Sequence, residues 1–356
     1  MEKMNLFGDV GEKIVEKLNL FDDKEPELVH YKGALGVFDY NPDMFEIRYG
    51  LGNKFSPDAR VEHLHYRGKT LNISLPKGCI NTNYMFLECK LPEGATLSDD
   101  FNTKEVKNMR GMFFDAELPE GFSLGSNFDT CNVKDMTCMF YNCVLPEGFN
   151  LGNFDTSKVK YMDNMFMYCK LPEGFTLGDK FDTSNVKDMC SMFYCTELSK
   201  DFTLGNKFST SKVKDMSFMF CCCKFPEGFS LGNKFDTSNV KDMSWMFYNC
   251  KLPEGFSLGN KFNTSKVEDM CSMFMGCKLP KGFTLGNKFD TSNVKDMSWM
   301  FSSCVLPERF TLGDKFDTSN VGDMNHMFKR CRYDNISFRE YFKTDDMKSI
   351  IALLKQ

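Results

Sequence analysis

The chain has 356 residues, 42% hydrophobic and 26% charged, with a formal net charge of −5. This balance is ordinary for a soluble globular chain, carries no basic footprint for nucleic acid, and includes no run of about 18 apolar residues that would span a membrane. Phe at 37 and Met at 25 are out of proportion, and a tandem repeat accounts for most of both.

Residues 1–21 lack the continuous apolar core of a secretory signal and read as a charged amphipathic helix. Strands are expected at 35–40, 44–50, 61–68 and 70–76, so residues 1–77 form an N-terminal cap of a helix plus short strands. His63 and His65 lie two apart on one of these strands. They share a face and can in principle share a metal ion, but no neighbouring cysteine pair has zinc spacing, and an ordinary strand is the simpler account.

From residue 78 to residue 331 a 27-residue unit recurs, with starts at Phe101, Phe128, Phe154, Phe181, Phe208, Phe235, Phe262, Phe289 and Phe316 and a degenerate copy before them. An array of this kind grows by adding coils, so one elongated domain with end caps is expected rather than two globular ones. Numbering each unit from its Phe, positions 9, 12, 13 and 16 are Met, Met, Phe and Cys, as in Met243, Met246, Phe247 and Cys250. That i, i+3, i+4, i+7 spacing predicts two turns of helix, with Asp at position 8, such as Asp242, as N-cap and Leu252-Pro253 as terminator. Phe256 and Leu258 at positions 22 and 24 alternate with a small polar residue and predict a short inward-facing strand, followed by a Gly-Asn-Lys turn.

The expected fold is an α/β repeat solenoid, leucine-rich-repeat-like, with one short parallel strand and one short helix per coil. After it, residues 332–356 form a C-terminal capping helix, with Asp345 or Asp346 as cap before Met347, Ile350, Ile351 and Leu354.

Eight of the 16 cysteines, from Cys89 to Cys331, fall at position 16, where Ala116 and Thr196 stand in two other units. The slot therefore takes a small buried side chain, and reduced thiols are the expected state. Cys221 and Cys222 precede the ladder member Cys223 and read as surface variation rather than as metal ligands. Asp182, Asp236 and Asp290 at position 2 raise a calcium reading, but closed calcium-binding loops are absent and turn formation explains them. No cofactor is expected. Catalysis needs singular residues that converge, whereas a repeat supplies one residue in rows, so the chain reads as non-enzymatic.

Positions that vary between near-identical units are not fixed by stacking. Positions 11, 14 and 15 vary most and share the face of the predicted helix opposite the core. Position 11 holds Phe218, Trp245 and Trp299, and position 14 holds Tyr141, Tyr194 and Tyr248. Aromatics on an outward face are the type enriched at binding hot spots, which makes these six the partner-binding candidates; rings that merely shield adjacent coils are the bland alternative. Position 23 is Ser, Thr or Asn in every unit from Ser123 to Thr311, a strip suited to a repetitive ligand such as glycan or ice.

The recurring DTSNVKDM and Met-Phe elements, for example at 235–247 and 289–301, resemble the BspA-like leucine-rich repeat of bacterial surface proteins, in the form found in mycoplasma lipoprotein-associated proteins. The segment LPEGFSLGNK is longer than that family's usual strand segment. The resemblance implies a leucine-rich-repeat-like fold and surface display, adhesion and protein binding. Location stays open, since reduced cysteines without a visible signal favour the cytoplasm and the resemblance favours the cell surface.

Overall fold

The computed structural model describes the backbone at 29–33, 36–40, 45–49 and 61–66, and residues 75, 79–89, 91, 94–97, 101–152, 154–333, 336–344 and 346–355. The predicted N-terminal helix and most of the strand at 70–76 lie outside these residues. Strands β1 (Val29–Gly33) and β2 (Gly36–Tyr40) pair antiparallel, as do β3 (Phe45–Tyr49) and β4 (Val61–Tyr66). His63 and His65 lie on β4, in register with Arg48 and Glu46.

Successive units stack through parallel bridges at two positions. Position 8 gives the series Asn81, Asn108, Asp135, Tyr161, Asp188, Asp215, Asp242, Asp269, Asp296 and Asp323, and position 17 gives Glu117 through Lys170 and Lys224 to Val305. The bonds beside the first row hardly vary. The position-7 amide donates to the position-7 carbonyl of the preceding unit, as from Lys134 to Lys107 at 2.8 Å and from Lys241 to Lys214 at 2.8 Å.

The predicted helix at positions 9–16 is not formed; the segment is a run of turns. In the unit from Phe235, the amides of Met246, Tyr248 and Cys250 return to Met243, Trp245 and Phe247, three residues back, at 3.3, 3.0 and 3.2 Å. The intervening amides leave the unit: those of Met243, Trp245, Phe247 and Asn249 donate to Asp269, Cys271, Met273 and Met275 of the next unit at 3.0, 2.8, 2.9 and 2.7 Å. An α-helix would keep these donors for its own carbonyls four residues back. A chain with an identical neighbour alongside satisfies them laterally, and every odd-position amide holds two units together.

Positions 11 and 15 make this possible by adopting left-handed backbone, with φ of 60° at Trp245 and 54° at Asn249. The Met, Met, Phe and Cys of the pattern still face the core. Spacing thus reported the buried face correctly and the helix wrongly. Asp242 caps no helix either; its carboxylate accepts the amide of Ser244, two residues on, at 2.9 Å, as Asp188 does for Cys190 at 3.0 Å.

The predicted strand at positions 22–24 also differs. Its residues at positions 22 and 24 face the core, but the position-22 amide is taken by a turn, as from Phe256 to Pro253 at 3.1 Å. Inter-unit backbone bonding at these positions is limited, among the described residues, to the Leu97 amide on Ser123. The rings themselves stack between units on both sides of the core. Position-13 phenylalanines from Phe86 to Phe328 form a continuous stack with centroids 5.1–5.8 Å apart and planes within 9°. Position-22 rings, from Phe202 to Phe310, sit 6.4–6.5 Å apart.

Two buried polar ladders knit the core. The Thr at position 3 donates to the position-2 carbonyl of the next unit, as from Thr183 to Ser209 at 2.7 Å and from Thr291 to Asp317 at 2.7 Å. Cysteines at position 16 donate to the position-13 carbonyl of the preceding unit, as from Cys250 to Phe220 at 3.0 Å and from Cys277 to Phe247 at 2.8 Å. All cysteines among the described residues are free thiols.

At the C-terminal end, β5 (Val305–Leu306) pairs parallel with β6 (Arg332–Tyr333), which pairs antiparallel with β7 (Ile336–Ser337). A helix α1 (Phe338–Phe342), absent from the sequence reading, starts with a capping box between Ser337 and Glu340. Helix α2 (Met347–Leu354) is capped by Asp346, whose carboxylate accepts the Ser349 amide at 2.8 Å. It buries Ile350, Ile351 and Leu354, and the Leu354 carbonyl accepts the Leu312 amide at 2.8 Å.

Candidate binding face

Turn residues at positions 11, 14 and 15 point away from the phenylalanine stack, and their aromatic members meet across units. Phe114 stacks on Tyr141 at 4.2 Å, Tyr141 meets Tyr168 at 5.8 Å, and Tyr168 meets Tyr194 at 5.3 Å. The row continues through Phe218, 6.2 Å from Tyr194, to Trp245, stacked at 5.6 Å, and Tyr248, 4.8 Å further.

Five of the six sequence candidates therefore share one aromatic row: Tyr141, Tyr194, Phe218, Trp245 and Tyr248. Trp299 stands apart. The intervening unit puts Ser272, Met275 and Gly276 at the three positions. Trp299 packs instead on His326 at 4.4 Å, with the Lys329 ammonium 5.0 Å over its ring.

Tyr168 and Phe114 are members that the sequence reading did not name. Tyr168 sits at position 15, one of the three variable positions, so the same comparison between units contained it. It is among the most exposed rings of the row, at 43%; the rings of Tyr141, Tyr194, Phe218, Trp245 and Tyr248 are half-buried against one another. Burial raises the hydroxyl pKa of Tyr141, Tyr168, Tyr194 and Tyr248, so the tyrosines present neutral hydroxyls.

Three thiols lie within this row. The Cys195 amide donates to the Cys221 carbonyl at 2.7 Å, and the Cys221 and Cys222 sulfurs are 3.8 Å apart. Cys221 is buried at 1% exposure, so it is not surface variation. Hydrogen bonds from Cys195, then Cys221, and from the Asn249 amide at 3.9 Å hold the Cys222 thiol well below its ordinary pKa, while its two thiol partners are raised. Among the described residues no group of three or more His, Cys, Asp or Glu side chains is arranged to hold a metal ion.

The position-23 strip is exposed along its length, from Ser123 through Thr203 and Ser257 to Thr311. Some of its polar groups turn back on the chain, Ser230 accepting the Gly232 amide and Ser257 the Gly259 amide at 3.1 Å each.

Near-identical units bonded edge to edge through their backbones, with variation greatest at positions 11, 14 and 15, define a tandem-repeat protein. The chain belongs to the family described as Mycoplasma protein of unknown function, DUF285, whose profile matches residues 80–173, 175–278 and 253–355. No curated protein and no solved structure matches the chain. Among the described residues no helix is long and apolar enough to cross a membrane.

Proposed function

We propose that the chain is a non-enzymatic repeat solenoid of the BspA-like leucine-rich-repeat kind that binds a protein partner through the aromatic row. The observation that carries this reading is the backbone beneath two of the rings. Phe218 and Trp245 have φ of 57° and 60°, a region that costs an L-residue about 1–2 kcal/mol. Gly111 fills the same position in another unit and Ser272 in a third. Large rings are thus kept where the fold accepts glycine and where the backbone disfavours them, as at sites held for function. Half-exposed Tyr and Trp on a rigid support are suited to protein recognition.

The test follows from the same backbone. Phe218→Gly and Trp245→Gly remove two rings of the row and relieve the left-handed strain, so both variants should fold. Proteins retained by the immobilised wild-type chain, identified by mass spectrometry, should be missing from the double variant; an identical retained set refutes the assignment. The second reading, a repetitive glycan or ice bound by the exposed Ser/Thr strip, requires instead that Ser257→Lys and Thr284→Lys abolish retention on a polysaccharide matrix or thermal hysteresis.

A further inference from the structure

Position 2 does the same work in eight of the nine units that start with Phe. The side-chain oxygen of Asp129, Asp155, Asp182, Asp236, Asp290 or Asp317 accepts the amide two residues on, at 2.8–3.0 Å. Asn102 and Asn263 do this for Lys104 and Ser265, each at 3.0 Å. Ser209 is the exception. Its hydroxyl lies 3.3 Å from that of Ser211, and the Ser211 amide donates to no protein group.

The missing carboxylate coincides with an open cavity of about 420 Å³, whose rim carries Lys207, Lys234 and Lys261. None of these three ammonium groups forms a salt bridge. Ser184, Ser209 and Ser211 supply hydroxyls to the same cavity. Asp182 and Asp236 flank it, each already accepting an amide, from Ser184 at 2.9 Å and from Ser238 at 3.0 Å. Three cations against two carboxylates leave the cavity net positive. One free amide, three hydroxyls and three ammonium groups are more donors than the two oxygens of a carboxylate can take.

We propose that this cavity binds a tetrahedral oxyanion, the phosphate or sulfate ester group of a larger ligand, with one of its oxygens in the place that the position-2 carboxylate takes in the other units. The Ser211 amide and hydroxyl contact that oxygen, and the lysines at position 27 close over the others as charge-assisted donors. Nothing in this site uses the aromatic row, so it stands whether or not that row binds protein.

The test uses thermal melts of the full chain at constant ionic strength, titrated with inorganic phosphate or inorganic sulfate against chloride. The wild-type midpoint should rise saturably with at least one of them. Ser209→Asp restores the turn and fills the site, so it should melt higher in buffer alone and lose the anion-dependent rise. Lys234→Gln should weaken the anion midpoint about tenfold, the loss of one charge-assisted bond. A response to phosphate alone assigns a phosphate ester, to sulfate alone a sulfate ester, and to both the shared oxyanion. A wild-type chain that responds to neither, or a Ser209→Asp chain that responds as strongly as wild type, overturns the proposal.

Discussion

The hydroxyl of Thr196 donates to the carbonyl oxygen of Phe166 at 2.7 Å, the bond that Cys169 makes to Phe140 one unit earlier at the same distance. The position-16 slot therefore takes a hydroxyl donor as readily as a thiol, and Ala116 shows that it also accepts a small side chain with no donor. Cys250→Thr should cost less than about 1 kcal/mol, because volume and donor are both kept. Cys250→Ala should cost about 2 kcal/mol through lost packing and the lost bond. The cost stays moderate because the Phe220 carbonyl also accepts the Cys223 amide at 3.0 Å and is not orphaned. Denaturant melts of the two variants check the order, and equal losses would refute the donor role.

Burial pushes the Cys143 and Cys277 thiols up to about 12, whereas an unfolded thiol ionises near 8.5. Between these values the unfolded chain binds fewer protons than the folded one. The stability that the buried thiols contribute is thus full below about pH 8.5 and is lost as pH rises toward 12. In that window each such thiol should lower stability by about 1.4 kcal/mol per pH unit. Denaturant midpoints measured from pH 7 to pH 11 should fall steeply above pH 9, and Cys143→Thr with Cys277→Thr should flatten the fall.

Period and spacing made the inward face of each unit legible: Met243, Met246, Phe247 and Cys250 are all buried. They could not reveal the backbone beneath, because a helix and a run of turns with left-handed residues at positions 11 and 15 bury the same residues. What separates the two is where the odd amides go, and that depends on a neighbour identical in sequence. The same holds for Thr237, constant in the pattern but explained only by its bond to the Asn263 carbonyl at 2.8 Å across units. The aromatic row was largely visible, since comparing units isolates positions 11, 14 and 15. Its continuity through Tyr168 and its break at Ser272 needed coordinates.

Ser199 occupies position 19, where every other Phe-initiated unit with this turn has proline. Its side chain is buried, and its hydroxyl has no hydrogen-bond partner. The Ser199 amide donates to nothing either, while its carbonyl accepts Phe202 at 3.1 Å as the proline carbonyls do for their own units. Ser199→Pro removes an unsatisfied buried hydroxyl and restricts the unfolded chain, and should stabilise by about 1 kcal/mol. An unchanged or lowered melting midpoint would show that the local turn, with Asp201 in place of the usual glycine, rejects the proline ring.

Cys222 is the thiol whose surroundings favour the thiolate. Donors from Cys195, Cys221 and Asn249 converge on its sulfur and lower its pKa below that of an ordinary thiol. The thiolate is the nucleophile, so limiting iodoacetamide at pH 7 should alkylate Cys222 before any other cysteine among the described residues, with the buried ladder members Cys143 and Cys277 reacting only on unfolding. Peptide mass spectrometry over a time course reads this order directly. Cys195→Ala removes the largest contribution to the lowered pKa. Its Cys222 should react more slowly at pH 7 and regain the difference by pH 9, where a normal thiol is also ionised. A variant as slow at pH 9 as at pH 7 would show that Cys195 shapes access to Cys222 and not its charge.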